Sequence, residues 1–136
     1  MPKTIISDAS CFIVLAKIGE LDLLKKMYSQ VITTTEVATD YGQQLPAWVK
    51  IKSPTDRYRQ QILEIQLDKG EASVIALATE TPESTIILDD YKARMIAEKL
   101  RLQITGTTGI LIKAKLRGTI SSIKPFLEKS KKLIFD

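Results

Sequence analysis

The sequence predicts an α/β fold: a central, mostly parallel sheet of four to five strands flanked by helices. Three observations predict it. First, Thr85-Ile86-Ile87-Leu88 is a short β-branched run without charge, the pattern of a strand buried on both faces, and Lys3–Ser7 (KTIIS) and Val31-Ile32-Thr33 are further strand candidates. Second, the stretches between them carry apolar residues at helical spacing. Third, strands and helices alternate along the chain, which suits crossover units better than hairpins.

In chain order, Lys3–Ser7 is the first strand, and Asp8 follows at its carboxyl end. Ser10 is a plausible N-cap for a helix through Cys11, Phe12, Val14, Leu15 and Ile18, stopped by Gly19. Glu20 to Tyr28 reads as a second short helix with Leu21, Leu23, Leu24 and Met27 inward. Val31 to Thr33 is a strand. Thr34 or Thr35 then caps a helix carrying Glu36, Val37, Asp40 and Tyr41, which Gly42 breaks. Gln43 to Pro54 is irregular, with Trp48 as a packing residue, or else a stacking platform for a base, and a small alternating run at Val49 to Lys52. Asp56 to Leu67 reads as a polar helix with Ile62, Leu63 and Leu67 as its apolar stripe.

The next stretch, LDKGEASVIALATETPESTIILDDYKAR, organises the rest. Gly70 opens an apolar helix whose next residue is Glu71, and Thr81-Pro82 closes it. Thr85 to Leu88 is a buried strand ending in Asp89-Asp90, 18 and 19 residues after Glu71. Tyr91 to Leu100 is an amphipathic helix, and Leu102 to Ile104 a further strand. Thr105-Gly106-Thr107-Thr108-Gly109 reads as a turn before a helix from Ile110 to Leu116, ended by Gly118. Ser121 or Ser122 caps a last helix reaching Lys131, and Leu133 to Phe135 reads as a short edge strand.

The chain of 136 residues fits one domain, 1–136, and its 44% apolar content suffices for a core. No apolar run is long enough for a membrane span, no leader pattern opens the chain, and the single cysteine, Cys11, reads as core. A cytoplasmic protein is expected. The net charge of +4, from 20 basic and 16 acidic residues, permits a phosphate-bearing partner without demanding one. There is no histidine, which excludes histidine bases, catalytic triads and Cys/His zinc sites. Chemistry would have to rest on carboxylates, hydroxyls, lysines or a hard metal held by oxygen.

The acids carry the candidate site. Asp8 ends a strand, Glu71 begins a helix, and Asp89 and Asp90 end another strand, so they can meet beyond the carboxyl edge of a parallel sheet. Each also has a plain structural reading. Asp8, Asp89 or Asp90 can cap the helix that follows, and Glu71 can favour a helix dipole. Glu36 and Asp40 lie i, i+4 on one helix, so at most one need face the crevice. Acids converging without a cation would repel one another. Mg²⁺ or Mn²⁺ is the natural remedy, and such an ion suits phosphodiester chemistry.

On these residues the chain resembles PIN domains, the metal-dependent nuclease fold of VapC-type toxins, and more closely a prokaryotic PIN-like branch described as nucleic-acid-binding. The resemblance spans nearly the whole chain, through IISDASCFIVLAKIGELDLL, VITTTEVATDYG, LDKGEASVIALA, ILDDYKARMIAEKL and ITGTTGILIKAKLRG. The last two segments are the most specific. The resemblance implies a three-layer fold and a metal shared by Asp8, Asp40, Glu71 and Asp89, with Asp90 as the alternative to Asp89 or a further ligand. Asp40 fits the family register, with Val37 before it and Gly42 after it, whereas Glu36 does not. Asp40 stands where the family usually has Glu, and Glu71 where it usually has Asp.

The resemblance further implies a Mg²⁺- or Mn²⁺-dependent endoribonuclease acting as a toxin, an RNA substrate, a small antitoxin partner and a homodimer. Ser10 resembles the hydroxyl near the family's first Asp. Thr107 or Thr108 would line the pocket or bind phosphate at the start of the next helix, unless the turn serves only as loop and cap. Lys92, Arg94, Lys113, Lys115 and Arg117 would steer RNA, or else be solvated helix faces. Two rivals stand beside this reading. One is a degenerate PIN-like module that binds nucleic acid or protein without cutting. The other is a phosphoryl-accepting receiver domain, disfavoured because the acid pair comes late and the first strand ends in a single Asp.

Overall fold

The computed structural model describes residues 4–118. Five strands form one sheet: β1 (Thr4–Ile6), β2 (Gln30–Thr33), β3 (Val49–Ile51), β4 (Ser84–Ile87) and β5 (Ile104–Thr105). Every pairing is parallel, and the order is β3-β2-β1-β4-β5. The α/β expectation holds, with all the strands among the described residues parallel. Successive side chains of a strand point to opposite faces, and all three residues of β1 are buried. Both faces of the central strand are therefore covered, which makes three layers.

Seven helices occur among the described residues: α1 (Ala9–Lys17), α2 (Leu23–Met27), α3 (Thr35–Tyr41), α4 (Arg57–Leu63), α5 (Lys69–Thr79), α6 (Tyr91–Lys99) and α7 (Thr107–Leu116). Their inward residues join the strands in one apolar cluster around Ile5, Ile6, Phe12, Leu15, Ile75, Ile86 and Ile110. Helix α5 is buried from Ala72 through Ala78, as its uncharged interior requires. Cys11 is fully buried in this cluster, and burial pushes its thiol up, out of the reactive range. Trp48 packs against the cluster from the loop before β3.

Several boundaries differ from the sequence-based expectation. Ser10 does not cap α1. Asp8 does, its Oδ1 accepting the Cys11 N–H at 3.0 Å, because the strand ends one residue earlier than expected and the helix starts at Ala9. The short run at Val49 is a sheet strand, with Val31 opposite Val49 and Thr33 opposite Ile51. The turn at Thr105 to Gly109 is shorter than expected: α7 begins at Thr107, and β5 takes Ile104 and Thr105. The expected helix after Ser121 or Ser122 and the strand at Leu133 to Phe135 lie outside the described residues.

The connectivity has a functional consequence. From β1 the chain moves to β2 and β3 on one side, then crosses back to β4 and β5 on the other. In open parallel sheets such a reversal leaves a crevice outside the carboxyl ends of the strands beside it. Asp8 follows β1, and Leu88-Asp89-Asp90 follows β4, so both segments end at that crevice.

Candidate functional site

Asp8 is buried beside the end of β4. Its Oδ1 caps α1, and its Oδ2 accepts the backbone N–H of Asp89 at 3.3 Å. Burial, followed by the nearby charge of Asp89, raises its pKa from 3.8 to about 7, and Glu71 pushes the same way. The two backbone donors oppose the shift without cancelling it. Near neutral pH this carboxyl is therefore poised between its two protonation states.

Around it lies a cavity of about 80 Å³ lined by Asp8, Ser10, Val37, Asp40, Asp68, Gly70, Glu71 and Asp90. Asp40 comes from the last turn of α3 and faces the first turn of α5. A Cβ on Gly70 would stand 2.6 Å from Asp40 Oδ2, so the glycine leaves the space that this carboxylate uses. Glu71 is half-buried, and its pKa is raised from 4.5 to about 7 by burial, then by Asp68 and Asp90.

Glu36 is directed elsewhere. It accepts a hydrogen bond from the Gln60 side-chain amide at 2.5 Å, tying α3 to α4. Between the two acids of α3, Asp40 alone lines the acidic cavity. A buried hydroxyl pair sets the angle of that helix. Thr34 Oγ1 caps α3 by accepting the Val37 N–H at 3.2 Å, and it lies 2.6 Å from Ser73 Oγ. Ser73 in turn donates to the Gly70 carbonyl at 2.7 Å. The start of α3 is thus linked to the turn of α5 that presents Glu71.

The two acids after β4 divide their work. Asp90 caps α6 through its Oδ2, which accepts the Ala93 N–H at 3.0 Å, and it lines the cavity. Asp89 lies outside the lining set. Its carboxylate accepts the Thr107 N–H at 2.8 Å and the Thr107 hydroxyl at 2.5 Å, pinning α7 to the end of β4. Thr107 spends its amide and hydroxyl on Asp89, so neither is open to a phosphate. Gly106 is required here by close approach, since a Cβ would meet Asp89 Oδ1 at 2.9 Å.

Asp68 was not singled out in the sequence, yet it lines the cavity and caps α5 by accepting the Glu71 N–H at 2.8 Å. The signal was present: Asp68 followed three residues later by Glu71 has the spacing of a capping box. Of the basic residues that the sequence singles out on α6 and α7, two are held by the fold itself. Arg94 donates to the Leu88 carbonyl at 2.8 Å, and Arg117 to the Met27 carbonyl at 3.3 Å.

The donor set suits a hard divalent cation in kind: only carboxylates and hydroxyls, two of the acids with raised pKa, and no cationic side chain lining the cavity. Among the described residues no three acids already form a closed ligand set. They approach the cavity from the ends of β1 and β4, from α3 and from the start of α5. Among the described residues no helix is long and apolar enough to cross a membrane.

A family model described as a PIN domain matches residues 4–134. No curated protein matches the chain.

Proposed function

The chain belongs to the PIN-domain family, and on that premise, with its nuclease-type function, we propose that residues 1–136 form a single-domain endoribonuclease dependent on Mg²⁺ or Mn²⁺. The observation that carries this reading is the pair of raised carboxyls, Asp8 and Glu71, on one small cavity at the carboxyl edge of the sheet. Acids so placed are under-neutralised, and a divalent ion supplies the missing charge.

Asp8, Asp40 and Glu71 would hold the metal, with Asp90 joining from the cavity wall and Asp89 from beside Asp8. The chemistry such an ion would supply is polarisation of a phosphoryl oxygen and a lowered pKa for a bound water. The chain's own residues do the rest. Asp8 is held rigid by two backbone donors, so its orientation is set before any ligand arrives. Asp89, clamped by Thr107, keeps the β4 end against Asp8 and sustains the field that favours a cation. Glu71, half-buried on the same cavity and raised in pKa by burial, Asp68 and Asp90, is an acid whose charge a bound cation would restore.

In this reading the protein acts in the cytoplasm as the toxin of a toxin–antitoxin pair, as a homodimer silenced by a small antitoxin. The test is incubation of a mixed single-stranded RNA with the protein and Mn²⁺ or Mg²⁺, with and without EDTA. Cutting that EDTA abolishes supports the nuclease; binding without cutting under either metal supports a non-catalytic PIN-like module. The exchanged lengths of Asp40 and Glu71 relative to the usual family pattern favour that second reading. Growth arrest on induced expression, relieved by Asp8→Asn, tests the toxin role.

A further inference from the structure

A second cavity, of about 320 Å³, adjoins the acidic one, and Asp40 lines both. Its volume falls at the lower end of the range for small-ligand pockets. Its chemistry differs from its neighbour's. Arg57, the first residue of α4, and Lys69, the first residue of α5, face it, and both are exposed. Neither is ion-paired among the described residues, in contrast to Arg59, which pairs with Asp56 at 3.5 Å and donates to Thr79. Thr35, Thr39 and Ser53 add hydroxyls. Of the two acids in the lining, Glu36 gives one oxygen to the Gln60 amide and keeps the other buried without a hydrogen bond among the described residues, and Asp40 is shared with the acidic cavity, so Arg57 and Lys69 are the exposed cations that a phosphate would meet.

We propose that this groove is a backbone subsite for single-stranded RNA, in which Arg57 and Lys69 hold the phosphate of a nucleotide flanking the one at the acidic cavity. The proposal rests on the nuclease reading for the identity of the neighbouring site. Two unpaired cations on a polar groove suit a phosphodiester, and the hydroxyls suit a ribose. The shared wall at Asp40 makes the two cavities one track. A strand whose scissile phosphate sits by Asp8 would pass over Asp40 into the groove. The substrate would then be a chain of at least two nucleotides and not a mononucleotide.

The test is fluorescence anisotropy of a 5′-labelled single-stranded oligoribonucleotide titrated with full-length protein in EDTA, where nothing is cut. Wild type is compared with Arg57→Ala/Lys69→Ala and with a charge-matched control, Lys25→Ala/Lys26→Ala, on the exposed side of α2. Loss of both cations from that one phosphate should weaken binding about tenfold at moderate salt and lower the logarithmic salt slope by about 0.7. The control should change little, and Arg57→Lys/Lys69→Arg should retain binding. Equal weakening of both double variants, or no weakening of the Arg57/Lys69 variant, overturns the subsite. Cleavage by wild type in Mn²⁺ is read separately. Groove-dependent binding without cleavage keeps the subsite and removes the nuclease reading, and cleavage with groove-independent binding does the reverse.

Discussion

Asp40 Oδ2 stands 2.6 Å from the point where a Cβ on Gly70 would lie, so an acid of α3 packs directly on the first turn of α5. The sequence separates these residues by an irregular segment, a strand and a helix. The missing side chain at Gly70 is what lets Asp40 reach the cavity wall that also carries Glu71.

Gly70→Ala is therefore expected to separate stability from ligand binding. Within a helix, alanine is favoured over glycine by up to about 1 kcal/mol, and the carboxylate in its way belongs to an exposed side chain that can move. Thermal unfolding should show a melting temperature unchanged or raised, while Mn²⁺ titration shows weaker binding because Asp40 has been displaced.

The raised carboxyls set the pH dependence of the metal-free protein. Burial and the charge of Asp89 hold the Asp8 pKa at about 7 in the folded state against an ordinary 3.8, so the folded state keeps a proton that the unfolded chain has released. Stability should thus be highest below about pH 4 for this group and fall as pH rises towards 7, by at most about 4 kcal/mol. Glu71 contributes in the same direction, less strongly because it is only half-buried. Denaturant unfolding between pH 4 and 8 checks this, and Asp8→Asn should flatten the slope. Mg²⁺ should raise the melting temperature at pH 8 far more than at pH 5, since ion and proton compete for one site.

The two acids of α3 should behave differently. Glu36→Gln leaves the cavity lining intact and is expected to change Mn²⁺ affinity by less than about twofold, whereas Asp40→Asn should lower it by roughly tenfold or more. Calorimetric titration of both variants measures the contrast.

The Thr34–Ser73 pair should matter for stability and for site geometry together. Thr34→Val removes the cap of α3 and leaves the buried Ser73 hydroxyl without that partner, at a cost of about 1–3 kcal/mol in urea unfolding. Thr34→Ser keeps the oxygen and should recover most of the loss.

Much of this architecture was legible in the sequence because its strongest signals are local. The β-branched runs at Ile5-Ile6, Val31-Ile32 and Thr85 to Leu88 could hardly be anything but buried strands, and β-branched runs ending in acids locate the crevice. Val49–Ile51 was harder to read as a strand: it has one buried residue of three and gains its identity from pairing with β2. The division between Asp89 and Asp90 was not legible either, because it depends on Thr107, which approaches Asp89 only after α6 and β5 have folded back. Asp8 was legible both as a site acid and as a cap, and in the structure its two oxygens face two different backbone donors. Arg57 and Lys69 looked like ordinary solvated charges; only their common cavity distinguishes them.

The proposed role of the acids around Asp8 is to hold a divalent metal and cut RNA. The most direct measurement follows Mn²⁺ binding by loss of the free-ion electron paramagnetic resonance signal, alongside cleavage of a labelled single-stranded RNA, in wild type and Asp8→Asn at pH 8. Saturable Mn²⁺ binding and cutting are expected of wild type, with both lost in a folded Asp8→Asn protein. Equal Mn²⁺ binding and equal cutting by the two proteins would contradict it.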